Sequence, residues 1–192
     1  MPVSSMATKN ARIVERYVAL LRGINVGGKN KLPMKDLVGM FDEAGCVAVR
    51  HYIQSGNVVF DAPPALGAKI PALMETAIEK GFGLRVPVVV RSDKELRAAI
   101  AGNPFVADGA DPDALHVMFL RGAPAKSKIA ALDPDRSPPD SFVVKGREIY
   151  LSCPNGVGRS KLTNAWFDAK LATISTSRNW RTVLKLAAMC DE

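Results

Sequence analysis

The sequence predicts an α+β fold made of two ferredoxin-like (βαββαβ) modules, an internal duplication, closed by a C-terminal helix. Three observations predict it. Apolar patterns of strand and helix period run in the order βαββαβ up to Val90, and the same order begins again at Leu115. A stretch rich in Pro, Gly, Asn and Asp, from Gly102 to Pro112, separates the two runs. Leu21-Arg22-Gly23 returns as Leu120-Arg121-Gly122, each time at the end of the first strand of its run. The expected domains are a mobile tail over 1–13, a first module with its connecting helix over 14–102, and a second module with the C-terminal helix over 103–192.

In order along the chain, Tyr17 to Leu21 is a short apolar strand. A glycine- and amide-rich loop follows, and Pro33 opens a helix with Leu37, Val38, Met40 and Phe41 at helical spacing, stopped by Gly45. Val47 to Gln54 and Asn57 to Phe60 form a hairpin around Ser55-Gly56, which sets Gln54 opposite Asn57, Ile53 opposite Val58, Tyr52 opposite Val59, His51 opposite Phe60 and Arg50 opposite Asp61. Leu66 to Lys80 is the second helix, and Arg85 to Val90 is a strand that Pro87 confines to a sheet edge. Ser92 or Asp93 caps a connecting helix, Lys94 to Ala101. The second run comprises strand Leu115 to Leu120, helix Lys126 to Leu132, hairpin strands Ser141 to Val144 and Glu148 to Leu151, helix Lys161 to Leu171 and strand Ala172 to Ser175. Thr176-Ser177 caps a last helix from Arg178 to Met189, with Trp180, Val183, Leu184 and Ala187 on its apolar stripe and Arg178, Arg181 and Lys185 on another.

With 192 residues, 47% of them hydrophobic, the chain is long enough to bury a sizeable core and is not a disordered segment. No apolar run reaches the roughly 18 residues that span a bilayer, and the polar start lacks the apolar stretch of a signal peptide, so a cytoplasmic protein without membrane contact is expected. Its three cysteines, Cys46, Cys153 and Cys190, have no Cys-x-x-Cys spacing and suit neither a disulfide framework nor a zinc site; reduced thiols and no metal or cofactor are expected. The net charge is +7, unevenly spread: from Lys145 to Lys185 eight cations face two carboxylates, a net of +6. Such an imbalance suits phosphate or nucleic acid and equally a solvated surface.

Three groups of residues carry candidate chemistry. The loop Arg22, Gly23, Asn25, Gly27, Gly28, Asn30 offers backbone N–H groups and cations to an anion, with Lys29 and Lys31 beside it. Gly23 to Lys29 has P-loop spacing, but Asn30 stands where magnesium needs a hydroxyl and the helix begins too late, so a nucleotide-triphosphatase loop is excluded in practice. Gln54, Ser55 and Asn57 form a polar hairpin end that either reads a ligand through amides or pairs across its own turn. Ser160, Lys161, Arg178 and Asn179, with Arg159 and Arg181, place cations at two expected helix starts, where free N–H groups favour phosphate. His51 and His116 have no nucleophile at telling spacing, Arg159 is the one cation near Cys153, and both tryptophans lie on apolar stripes.

Ala19 to Gly28 with Asn30 and Pro33-Met34, Tyr52 to Phe60, Asn103-Pro104-Phe105, Ser160 to Asn164, and Thr176 to Trp180 with Thr182-Val183 are blocks in which the chain resembles the domain of unknown function 1697 family, found mostly in bacteria. Ser177 stands where the family more often has threonine, which keeps the hydroxyl. The resemblance implies a shared fold and a polar site, not a reaction. The expected function is the binding of a phosphate-bearing or other anionic small ligand by the loop and the basic residues. An RNA-binding module is the alternative, and an enzyme acting on a small phosphorylated substrate is the third reading. Oligomeric state is not legible.

Overall fold

The computed structural model describes residues 13–192, so the tail expected over 1–13 lies, apart from Ile13, outside the described residues. The architecture is α+β, with two four-stranded antiparallel sheets. The first contains β1 (Glu15–Leu21), β2 (Val47–Tyr52), β3 (Asn57–Ala62) and β4 (Val88–Ser92) in the order β2-β3-β1-β4. Its helices are α1 (Met34–Glu43), the single turn α2 (Pro64–Gly67) and α3 (Ile70–Phe82). Two connecting helices follow, α4 (Asp93–Ala101) and the short α5 (Pro104–Ala107). The second sheet contains β5 (Leu115–Leu120), β6 (Ser141–Lys145), β7 (Glu148–Ser152) and β8 (Ser175–Asn179) in the order β6-β7-β5-β8, with α6 (Lys126–Ala130) and α7 (Asn164–Leu171). The chain closes with α8 (Trp180–Cys190).

Strand alternation sorts the side chains into three cores. Tyr17, Ala19, Val58 and Phe60 meet α1 and α3 through Leu37, Phe41, Met74 and Ile78. On the far face of the second sheet Met118, Leu120, Ile149 and Leu151 meet Phe167 and Leu171 of α7. Between the sheets Val18, Leu20, Val59 and Val89 face Val117, Phe119 and Tyr150, with α4 and α8 filling the rest through Leu96, Trp180, Val183 and Leu186. Both sheets are therefore buried on both faces, one against helices and one against each other.

Several expected boundaries move. Leu66 to Lys80 divides into α2 and α3, since Pro71 starts the longer helix in its first turn. Ser92 caps α4 through a capping box with Glu95. The helix expected from Lys161 starts at Asn164, because Thr163 accepts the Trp166 N–H. The β2–β3 connection is a four-residue turn, so Tyr52 lies opposite Asn57, His51 opposite Val58 and Arg50 opposite Val59. The pairings expected for Ile53, Gln54, Tyr52, His51 and Arg50 are all incorrect. Docking of the turn onto β1 sets this register: the Leu21 N–H donates to the Gly56 carbonyl at 2.8 Å. A Cβ at Gly56, whose φ is +77°, would lie 2.7 Å from Leu21 Cβ, so the close approach depends on glycine. Asp61 accordingly pairs with Arg16, and Arg50 with Glu192.

The largest shift lies at the C-terminal end. Thr176, Ser177 and Arg178 are not a helix start but the edge strand β8, and α8 begins two residues later with Asn179 accepting the Thr182 N–H at 2.8 Å. Backbone oxygens of the first sheet draw Arg178 inward, so it does not share an outward stripe with Arg181 and Lys185.

Candidate functional site

Each sheet ends in an edge strand, β4 or β8, and each edge strand sends one arginine into the other half of the molecule. Arg91 of β4 donates through Nη2 to the Leu120 carbonyl at 2.7 Å and the Arg147 carbonyl at 2.9 Å. Arg178 of β8 donates through Nη2 to the Leu21 carbonyl at 2.7 Å and the Gly56 carbonyl at 3.2 Å. In both, Nη1 bonds the carbonyl of the preceding residue, Val90 or Ser177. The Leu-Arg-Gly segments receive these arginines and add a second, outer tie. Arg22 pairs with Asp168 of α7 at 2.5 Å and bonds the Ser175 carbonyl at the start of β8. Arg121 pairs with Glu75 of α3 and bonds the Val88 carbonyl at the start of β4.

The two clasps differ in charge. Arg91 Nε meets a carboxylate, Glu148, at 3.0 Å, whereas Arg178 Nε meets an amide, Asn57 Oδ1, at 2.5 Å. The turn residue whose carbonyl ties to β5 is Arg147, while its counterpart beside β1 is Gly56. The third residue of α4 is Glu95, which accepts the Ser92 N–H and pairs with Arg147; the third residue of α8 is Thr182. Against the opposing effect of burial, the Ser92 N–H and the two arginines hold the Glu95 carboxyl below its usual range. Around Arg91 every charge is answered. Around Arg178 three uncharged residues take those places.

Arg178 is 9% exposed, and all its N–H groups have oxygen acceptors, Thr176 Oγ1 among them. Its charge has no anionic partner, and burial alone pushes its pKa down to about 10, so it stays cationic at neutral pH. It lies in the wall of a cleft of about 360 Å³ between the Arg22 loop, the β2–β3 turn, β8 and the start of α8. Val26 and Ile53 stand 63% and 50% exposed at this cleft, and Ile53, a β-branched residue, holds a φ of +50°. Exposed apolar area combined with a left-handed β-branched residue costs stability, and such costs concentrate at binding sites.

Of the candidate residues, Arg22, Gly23, Ser55, Arg178 and Asn179 line this cleft, and Asn57 stands behind Arg178. Asn25 braces the loop, exchanging hydrogen bonds with Leu32 and donating to the Gln54 carbonyl. Asn30 donates to the Gly23 carbonyl, while Gly27 and Gly28 make the exposed tip with left-handed φ. Gln54 contributes its backbone oxygen to Asn25 and leaves its side chain exposed, so the amide cluster of Gln54 and Asn57 does not form. Ser160 and Lys161 do not open a helix: the Lys161 N–H donates to Ser137 Oγ, and Ser160 Oγ accepts the Leu162 N–H. Arg181 points away to Asp113, and this divides the expected basic constellation.

Sequence reasoning missed Thr176, Thr182, Asn164 and Asp168 at or beside the cleft, and missed the Arg91–Glu148 clasp altogether. Arg91 had a legible signal, a lone charge ending the apolar run Val88-Val89-Val90. A second cavity, of about 520 Å³, runs along β4, but its arginines, Arg91, Arg121 and Arg147, each have a carboxylate partner. Among the described residues no group of three or more His, Cys, Asp or Glu side chains stands close enough to hold a metal ion. The three thiols are buried, and burial pushes each up to about 11, so Arg159 does not activate Cys153. No helix among the described residues is long and apolar enough to cross a membrane.

No curated protein matches the chain. Among solved structures it is similar to the conserved bacterial protein SP0830 from Streptococcus pneumoniae, at 21% identity and a TM-score of 0.70, over 93% of this chain and 99% of that one. That likeness concerns the fold. A family profile described as "Protein of unknown function (DUF1697)" covers residues 14–150, which take in the Leu-Arg-Gly loop, the β2–β3 turn and the whole Arg91 clasp, and the chain belongs to this family.

Proposed function

We propose that the protein binds a small phosphate-bearing or other anionic ligand in the cleft beside Arg178. One observation carries the reading: of the two buried arginines among the described residues, Arg91 is neutralised by Glu148 and Arg178 by nothing. The Arg91 clasp indicates that the fold accommodates a carboxylate at this position, so the positive charge at Arg178 is not imposed by the architecture. An anion in the cleft gains the Coulomb attraction of a desolvated cation, which solvent screens only partly. Arg178 contributes the field, and its N–H groups remain with the backbone oxygens that hold it.

The same paired clasps, with matching sheet orders, support reading the chain as two ferredoxin-like modules, 14–102 and 103–192, related by duplication. The cleft then lies at their seam. The residues lining the cleft itself include no imidazole or carboxylate, and the Ser177 hydroxyl has no hydrogen-bonded base, which favours binding over catalysis. An RNA-binding module would use an open sheet face, and both inner faces here are packed against each other. A cytoplasmic setting accords with buried reduced thiols.

The test is the thermal midpoint in inorganic phosphate, with Asn57→Asp as the comparison. At 100 times Kd, binding adds about 2.7 kcal/mol, and for a chain of this size each kcal/mol raises the midpoint by about 2–4 °C. The wild type shifts by about 5–10 °C, and Asn57→Asp, which gives Arg178 a carboxylate of its own, does not shift. Equal shifts in both proteins would place the anion elsewhere; no shift in either protein rules out the reading.

A further inference from the structure

The cleft does not end at Arg178. His116 lies opposite Asn179 and Met118 opposite Ser177, so His116, Met118 and Ser177 share the face of the second sheet that looks toward α7. They line a compartment of about 370 Å³ that has Asn164, Ser177 and Asn179 in common with the Arg178 cleft. The two compartments adjoin along β8 at these three shared residues.

This second compartment holds two of the four buried side-chain polar atoms without a hydrogen-bond partner among the described residues, His116 Nδ1 and Ser177 Oγ. Such atoms are costly to bury unpaired. The fold does not require them. At the corresponding places of the first sheet stand Tyr17, whose hydroxyl bonds Glu15, and the apolar Val90. The neighbouring polar groups are only half used. Asn164 donates its amide N–H to Ser175 Oγ and keeps its side-chain carbonyl free, while Asn179 accepts the Thr182 N–H on its side-chain carbonyl and keeps its amide N–H groups free. Burial lowers the pKa of His116 against the opposing Ala114 carbonyl, so its ring is neutral at pH 7, with one donor and one acceptor nitrogen. The compartment therefore offers uncharged donors and acceptors beside the apolar side chains of Met118 and Leu162.

We infer that the ligand is a sugar phosphate rather than a bare anion: its phosphate lies beside Arg178, and its hydroxylated body crosses the β8 edge to place a hydroxyl against His116 and Ser177. The inference rests on Arg178 as the anion seat. An imidazole, a hydroxyl and two amides match the uncharged, hydroxyl-rich surface of a sugar, and Met118 and Leu162 pack against its C–H face. Inorganic phosphate fills the first compartment alone.

The experiment titrates inorganic phosphate, ribose 5-phosphate and glucose 6-phosphate into the full chain by calorimetry, with the histidine ring signals followed by NMR. The chain has only two histidines, and His51→Gln leaves the His116 signals alone. At least one sugar phosphate binds tenfold or more tightly than inorganic phosphate and moves the His116 signals. His116→Phe, whose side chain lines the second compartment alone and whose folding is checked by its thermal midpoint, reduces that affinity to the level of inorganic phosphate and leaves phosphate binding itself unchanged; Ser177→Ala, a small change at a strand position, also reduces the affinity for the sugar phosphate. If both sugar phosphates bind no better than inorganic phosphate, or bind better with His116 unmoved or Ser177→Ala without effect, the second compartment is not part of the site while the anion seat stands. If neither inorganic phosphate nor the sugar phosphates bind, the anion seat fails and this inference with it.

Discussion

The two arginine clasps have one geometry and opposite electrostatics. Arg91 and Arg178 both leave an edge strand, cross to the other half and end on the carbonyl of a Leu-Arg-Gly leucine at 2.7 Å. Around Arg91 stand Glu148, Glu95 and Arg147, a balanced set of charges; around Arg178 stand Asn57, Thr182 and Gly56. The shared part of the pattern is what the fold needs to join its halves. The differing part is available for function, and it is what singles out Arg178, rather than Arg91, as the proposed anion seat.

The strongest way to break the comparison is to remove each arginine. Arg91→Met leaves Glu148 without its cation as well as two carbonyls without their donor, and urea unfolding is expected to show a loss of about 4 kcal/mol, within the range for breaking a buried pair. Arg178→Met strands carbonyls but no charge, and its expected loss is smaller, about 2–3 kcal/mol. Equal losses would mean that Glu148 adds nothing to the first clasp. A sharper contrast comes from the outer ties. Asp168→Asn removes the carboxylate paired with Arg22 of the Arg178 cleft and is expected to tighten phosphate binding three- to tenfold by calorimetry, whereas Glu75→Gln, in the matching place of the other half, leaves it unchanged. Arg22→Ala and Arg121→Ala test the partly exposed ties themselves, and each is expected to cost about 1 kcal/mol or less.

The smallest effect is confined to alkaline pH and falls on both halves alike. Cys46 and Cys153 are pushed by burial from 9.0 up to about 11. A thiol whose folded pKa is raised contributes stability in full below its unfolded value and loses it as pH rises through the folded one. The thermal midpoint is therefore expected to be flat from pH 7 to 9 and to fall between 9 and 11. A decline already present at pH 8 would show that a thiol is accessible.

Much of the fold was legible because strand and helix periods depend on nearest neighbours. The strand Leu115–Leu120 and the hairpin around Gly146 stand where their patterns place them. The β2–β3 register was not legible, because Ser55-Gly56 satisfies two-residue hairpin chemistry and what overrides it is a hydrogen bond from Leu21, far away in sequence. Arg178 misled for a related reason. Its spacing from Arg181 and Lys185 suits one outward helix stripe, and only contacts with Leu21, Gly56 and Asn57 reveal it as a buried strand residue. The Leu-Arg-Gly echo was visible as three repeated letters. Its purpose, to receive the other half's arginine, required both halves at once.

Reciprocity of this kind affects how the molecule melts. Each half carries the acceptors for the other half's arginine, and the apolar middle layer draws on both sheets. Opening either half exposes that layer and leaves the other half's edge-strand guanidinium facing solvent where carbonyls had been. The intermediate with one sheet folded and one unfolded is thereby penalised, whichever sheet opens first. The described residues form three cores, and they are nonetheless expected to melt as one cooperative unit, which scanning calorimetry would show as a calorimetric enthalpy equal to the van't Hoff value.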